Sequence, residues 1–253
     1  MKLHVSPTAT DATMAAADWL TPRLQSPETR NVMVAGGNTP LALYQEISRS
    51  QPQLSHLNVF ALDEYVGVPK EEPRNCENLI RRTVIEPWGI PEAQYHPVRS
   101  LEAEAGRSIR QHEMTIRLAG GLDVLVLVLG KNAHIGFNEP GRRRFDRPCA
   151  AADADIDANR EWFGDEHAPD MGVTTGMKTL LEAKTILLLA FGAAKSTAVE
   201  AMLDGPPTPA CPASFLQVHP DTHIFIDTAT AACLPPGQDL REAGETVADT
   251  DVV

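Results

Sequence analysis

Apolar positions along the chain fall into two alternating patterns. Short runs that are apolar at most positions, Leu3–Val5, Asn31–Ala35, Leu57–Leu62, Leu122–Leu129, Ile186–Phe191 and His223–Ile226, are separated by segments whose apolar residues return every three to four positions. A strand that is apolar on both faces must be covered on both, and the intervening helical period supplies the cover. The alternation predicts an α/β fold: a mostly parallel sheet with helices on both faces, in a single domain. The run LDVLVLVLG, ending at Gly130, has the β-branched content and terminal glycine of a central strand.

Helices are expected over Pro7–Leu24, Pro40–Ser48, Arg74–Ile85, Glu102–Leu118 and Ala194–Leu203. In the second, Thr39 reads as N-cap and Pro40 as first helical residue, with Leu41, Tyr44 and Ile47 as its buried stripe. Two stretches depart from the pattern. Residues Cys149–Gly172 are polar and acidic, and a loop of that length in a compact domain reads as functional or mobile. The acidic tail, residues 236–253, has almost no apolar residues and reads as disordered, leaving 1–235 as one domain without repeats.

Composition narrows the partners. With 22 basic against 34 acidic residues the formal net charge is −12, which argues against nucleic acid and anionic membrane as partners but leaves room for a small anion in a local pocket. No stretch has the length and apolarity of a membrane span, and the N-terminus lacks the apolar core of a signal peptide. Cys76, Cys149, Cys211 and Cys233 are too scattered for a zinc or redox motif. These features together predict a cytoplasmic protein with reduced thiols.

Ligands of open α/β sheets gather outside the carboxyl ends of the strands, so the residues after each run carry the candidate chemistry. After the second run comes AGGNTP, where Gly36, Gly37, Asn38 and Thr39 form either an anion-binding turn or a plain strand-to-helix turn. After the third comes Asp63-Glu64, of which only one can face a crevice from an extended chain. That carboxylate must be buried if it is to move protons near neutrality; otherwise the pair is a solvated turn. After the fourth comes GKNAHIGFNEP, with Asn132 and Glu139 near His134: a carboxylate-oriented imidazole or a histidine that merely caps a loop. After the fifth, Lys195 in FGAAK opens a helix, where a cation is ill placed unless an anion lies beside it. DADIDAN lacks the glycine and the glutamate of a calcium loop, and His219 and His223 straddle Pro220, so neither is read as a metal site.

With LDEYVG, HIGFNEP, TTGMKTLLEA, FGAAK and SFLQVHP in this order, the chain resembles the glucosamine-6-phosphate deaminase/isomerase family, whose relatives include the 6-phosphogluconolactonases. The similarity runs from about the first strand to Leu234. It implies a modified Rossmann-like domain with a lid loop, and conversion of D-glucosamine 6-phosphate and water to D-fructose 6-phosphate and ammonia. By motif match it implies that Asp63 is the proton-transfer base and that His134, oriented by Glu139 and assisted at Asn132, opens the sugar ring. Gly36, Gly37, Asn38, Thr39 and Lys195 then correspond to a phosphate clamp, and Arg160 in DANREWF to a phosphate contact carried by the lid. The partner implied is a small-molecule sugar phosphate, with no metal or organic cofactor.

The chain departs from the family's pattern at three places. Ala133 stands where the family usually has glycine, Asn132 where some members have aspartate, and Asn75-Cys76 where many have Ser-Tyr. The tail does not resemble the segment involved in hexamer regulation, so neither a hexamer nor an allosteric activator is carried over, and a homo-oligomer stays open. Two rival readings remain, a 6-phosphogluconolactonase and a non-catalytic sugar-phosphate-binding protein. The FNEP continuation with Glu139 favours the deaminase.

Overall fold

The computed structural model describes residues 1–99, 101–141, 149–152, 162–164, 169, 171–234 and 240–242. Strands β1 (Lys2–Ser6), β2 (Asn31–Val34), β3 (Asn58–Ala61), β5 (Tyr95–His96), β6 (Val124–Val128), β9 (Thr185–Ala190), β10 (Thr222–Asp227) and β11 (Leu240–Glu242) form one sheet. Its order is β11-β1-β10-β9-β6-β2-β3-β5, and every pairing is parallel. A second, antiparallel sheet of β4 (Asp63–Tyr65), β8 (Met171–Thr174) and β7 (Cys149–Ala152) stands beside it.

The large sheet is buried on both faces, and the strand residues sort with period two. Val32, Val34, Val124, Val126, Leu187 and Leu189 pack against α1 (Ala9–Gln25) and α2 (Leu41–Arg49), through Leu20, Leu24, Tyr44 and Ile47. Met33, Ala35, Leu125, Leu127, Leu188 and Ala190 belong to the opposite layer with α5 (Met177–Leu181) and α6 (Ser196–Leu203), and with Ile116 of α4 (Glu102–Leu118). Each such Val or Leu removed from water contributes roughly 2 kcal/mol, so the runs that are apolar at every position anchor the fold. Among the described residues, no helix is long and apolar enough to cross a membrane.

Several expected boundaries shift for local reasons. Thr39 does not cap α2. The turn closed by Leu41 N–H on the Asn38 carbonyl (3.3 Å) absorbs it, and Pro40, with helical dihedrals, occupies the cap position without a side-chain bond. The helix expected over Arg74–Ile85 begins instead at Cys76, capped by Asn75 Oδ1 on the Asn78 amide (3.1 Å). It divides into α3 (Cys76–Ile80) and a π-helical turn over Arg81–Ile85. Ala193–Lys195 is a 3-10 turn ahead of α6, so Lys195 stands at the cap of the helix rather than within its first turn. Cys149–Ala152 and Met171–Thr174, at the two ends of the expected lid, are paired as strands. In the tail, Leu240–Glu242 extends the sheet edge along β1, because that edge offers unpaired backbone groups. The remainder of the tail lies outside the described residues.

Candidate active site

The carboxyl ends of β2, β3, β6 and β9 surround a cavity of about 170 Å³, lined by Gly36, Gly37, Asp63, His134 and Lys195 among others. It lies where an open parallel sheet is expected to bind a ligand.

Asp63 enters the cavity because the chain leaves the large sheet after Leu62 and joins the small one. Leu62 N–H still donates to the Val34 carbonyl (3.0 Å), while Asp63 already pairs with Thr174. Thr175 clamps the junction, its amide and hydroxyl both donating to the Leu62 carbonyl at 3.1 Å. Asp63 is 8% exposed, and burial first, then the neighbouring Glu64 carboxylate, pushes its pKa up to about 7. Glu64 points the other way, into the backbone amides at the head of α3. One of the two acids thus faces the crevice, as an extended chain requires.

His134 is held by the loop after β6. Its Nδ1 lies 2.7 Å from Asn132 Oδ1 and 3.3 Å from Glu139 Oε1, while Asn132 Nδ2 donates to Glu139 Oε2 (2.8 Å). The carboxylate needs a donor from Asn132, which fixes the amide orientation. Nδ1 then faces acceptors and carries the proton, leaving Nε2 as the basic nitrogen. Asn138 Nδ2 locks the loop by donating to the Ile135 and Thr175 carbonyls, both at 3.0 Å. Gly130 is glycine for lack of space, since a Cβ there would lie 2.4 Å from the His134 ring. Gly136 has φ of +57°, and a Cβ would lie 2.4 Å from Thr174 Oγ1. Ala133 has φ of +65°, in the left-handed region that glycine favours.

The glycine turn after β2 and Lys195 after β9 complete the lining. Gly36 and Gly37 line the cavity, whereas Asn38 is exposed and Thr39 half-buried, and neither lines it. Lys195 Nζ donates to the Leu129 carbonyl (2.6 Å) across the ends of β6 and β9. The turn before it is fixed by Asp227, whose two carboxylate oxygens each accept from Gly192 N–H at 3.1 Å. Arg160 lies outside the described residues. Phe163, three residues further on, is anchored beside the site: its ring meets Tyr65 edge-on at 4.9 Å, and its carbonyl accepts from Arg74 Nη1 at 2.6 Å.

Asp63, His134, Gly36, Gly37 and Lys195 are therefore brought together, with Asn132 and Glu139 behind the histidine. Sequence reasoning missed Tyr65, Cys76, Lys131 and Phe137, which also line the cavity, and Thr174, whose buried Oγ1 has no hydrogen-bond partner among the described residues. Lys131 sits within the motif that singled out His134, so its charge was the available signal. Phe137 lies in that same motif and Cys76 at the head of α3, whereas Tyr65 and Thr174 owe their place to the small sheet, which pairs residues more than a hundred positions apart.

Comparison with known proteins identifies the family. Residues 6–224 match the family described as glucosamine-6-phosphate isomerases/6-phosphogluconolactonase. A glucosamine-6-phosphate deaminase of Corynebacterium kroppenstedtii is 35% identical over 246 residues, covering 92% of this chain and 93% of its own. One of Hahella chejuensis is 36% identical over 208 residues, 79% of each chain. Among solved structures, a monomeric glucosamine-6-phosphate deaminase superimposes with a TM-score of 0.87 at 26% identity, over 92% of this chain and 99% of that one. The 6-phosphogluconolactonase of Trypanosoma brucei shares the fold, with a TM-score of 0.75 at 19% identity over 92% and 98%. The chain belongs to the glucosamine-6-phosphate isomerase/6-phosphogluconolactonase family.

Proposed function

We propose that the chain is a glucosamine-6-phosphate deaminase, forming D-fructose 6-phosphate and ammonia from D-glucosamine 6-phosphate and water. The observation that carries this reading is Asp63. It is a buried carboxyl whose proton affinity is raised to about 7, and it opens onto the same cavity as an oriented imidazole and a lysine. A carboxylate with that affinity is half ionised near neutrality and can both take and return a carbon-bound proton.

In this reading the sugar phosphate is held between Lys195 and the amides of Gly36 and Gly37, and Arg160 adds a further cation. Asn38 and Thr39 complete the turn that carries those amides. His134 Nε2 accepts the anomeric hydroxyl proton and returns it to the ring oxygen, opening the ring. Glu139 and Asn132 keep Nδ1 protonated and offset the imidazolium charge. Asp63 then removes the C2 proton and delivers it to C1 through an enolamine, and water added to the resulting C2 imine expels ammonia. Every step is a proton transfer or an addition that side chains alone can support. A doubly charged substrate does not cross a bilayer unaided, so the same reading assigns the enzyme to the cytoplasm.

The test is ammonia release from glucosamine 6-phosphate, run beside hydrolysis of 6-phosphogluconolactone. Ammonia formation with stoichiometric fructose 6-phosphate is expected. Lactone hydrolysis without ammonia, or phosphosugar binding without turnover, would replace this reading with one of its rivals.

A further inference from the structure

Glu64 has no part in the steps above, yet it is the more completely buried member of the acidic pair, with 0% exposure. Its Oε1 accepts from the backbone N–H of Tyr65 (2.8 Å) and Cys76 (3.0 Å), and its Oε2 from that of Glu77 (2.9 Å). Asp63, one residue away, receives no comparable set of donors among the described residues. Nor does either carboxylate there have a cationic ion-pair partner. A carboxylate supplied with several amide donors is favoured in its charged form; one buried without them is not.

The titratable groups packed directly around the pair are a thiol and three phenols, while Glu77, whose amide binds Glu64, has its own carboxylate paired with Lys70, Arg81 and Arg99. Glu64 is faced by Tyr65 along its own strand, Cys76 from α3 and Tyr95 from β5, and Asp63 by Tyr65, Cys76 and Tyr44 of α2. Burial raises all four of these thiol and phenol groups above their ordinary range. His134, Lys131 and Lys195 share the cavity with Asp63, but Glu64 does not line it.

We propose that Glu64 is a positioning residue that acts on Asp63 through charge: tied down by the amides at the head of α3, it holds a fixed negative charge behind the base and sets the pH at which that base exchanges its proton. The inference rests on the reading of Asp63 as the base. Burial raises both carboxyls to about 7 with the amide bonds of Glu64 already counted, so the order is decided by geometry, three amide donors on Glu64 and no comparable set on Asp63, and by the Glu64 charge that raises Asp63. Ionisation therefore begins at Glu64, and the charge formed there opposes loss of the second proton from Asp63.

The experiment is the pH dependence of kcat/KM for glucosamine 6-phosphate in the full-length Glu64→Gln variant. Glutamine keeps an oxygen for the Tyr65 and Cys76 amides while removing the charge. The acid limb is expected to move down by about one pH unit. An unmoved limb with kcat lowered uniformly at all pH values would reduce Glu64 to a helix-capping role and overturn the proposal. Should that variant fail to fold, carboxyl 13C titration of the wild type and of Asp63→Asn decides. In the wild type Glu64 should titrate before Asp63, and in Asp63→Asn its midpoint should stay in place because its partner is neutral in both cases as it ionises; Asp63 titrating first would overturn the proposal. Turnover retained by Asp63→Asn would overturn the base reading, and this one with it, whereas turnover lost with the limb unmoved in Glu64→Gln overturns this one alone.

Discussion

Asp63 and Glu139 are both buried carboxylates at the same cavity, and the fold treats them in opposite ways. Glu139 accepts from Asn132 Nδ2 at 2.8 Å and lies 3.3 Å from His134 Nδ1. Asp63 is enclosed without such donors among the described residues, beside a second negative charge, and its pKa rises to about 7. The difference teaches how one side chain serves two tasks. Tied to Asn132 and set against an imidazole, one carboxylate is fixed in place; enclosed without such partners beside another acid, the other has its proton affinity raised.

The largest expected effect comes from removing the group that exchanges protons. Asp63→Asn should lower kcat by roughly 10³-fold while phosphosugar affinity, read by calorimetry, stays within a few-fold. The same variant carries a stability signature. Because the folded-state pKa of Asp63 lies above its ordinary value of 3.8, the folded protein holds that proton more tightly than the unfolded chain. This contribution is complete below about pH 4 and is lost as pH rises through 7. Asp63→Asn should therefore gain stability relative to wild type at pH 8 but not at pH 4, by denaturant unfolding. An equal difference at both pH values would mean that Asp63 is not a strained carboxylate at all.

Glu139→Gln tests the other member. It should lower kcat by about 30-fold with little change in KM, since it weakens the orientation and charge balance of His134. It should leave the acid limb of the pH profile where Asp63 sets it; a shifted limb would erase the division of labour. Lys195→Met leaves both carboxylates in place and should raise KM for the phosphosugar by about tenfold, the loss of one hydrogen bond to a charged group, with kcat changed less than threefold. A fall in kcat alone would move Lys195 from the anion to the chemistry. The smallest effect is expected from Ala133→Gly, in the loop that holds His134. Release of left-handed strain, about 1 to 2 kcal/mol, is offset by glycine's extra freedom when unfolded, about 0.5 to 1 kcal/mol. A net gain within about 1 kcal/mol and unchanged kcat are expected in thermal unfolding and steady-state assays.

The large sheet was legible in the sequence because its signal is local. Val124–Val128 is apolar on both faces, and no neighbour is needed to say that it is central. The small sheet was not legible, since Asp63-Glu64-Tyr65 has the composition of a turn and becomes a strand only through Val173 and Thr174, over a hundred residues away. The site divides along the same line. Asn132, His134 and Glu139 share one loop and could be grouped by eye. The opposed roles of Asp63 and Glu64 depend on where α3 begins, which Asn75 decides. Thr39 misled because its place before a proline looked like a cap, whereas Pro40 itself takes that position.

Thr174 pairs with Asp63 on one side and with Cys149 on the other, so the strand carrying Asp63 is the outer member of a ladder whose middle strand is Met171–Thr174. A substitution in either of the other two strands therefore reaches the backbone of Asp63, and displaces its carboxyl without touching the cavity wall.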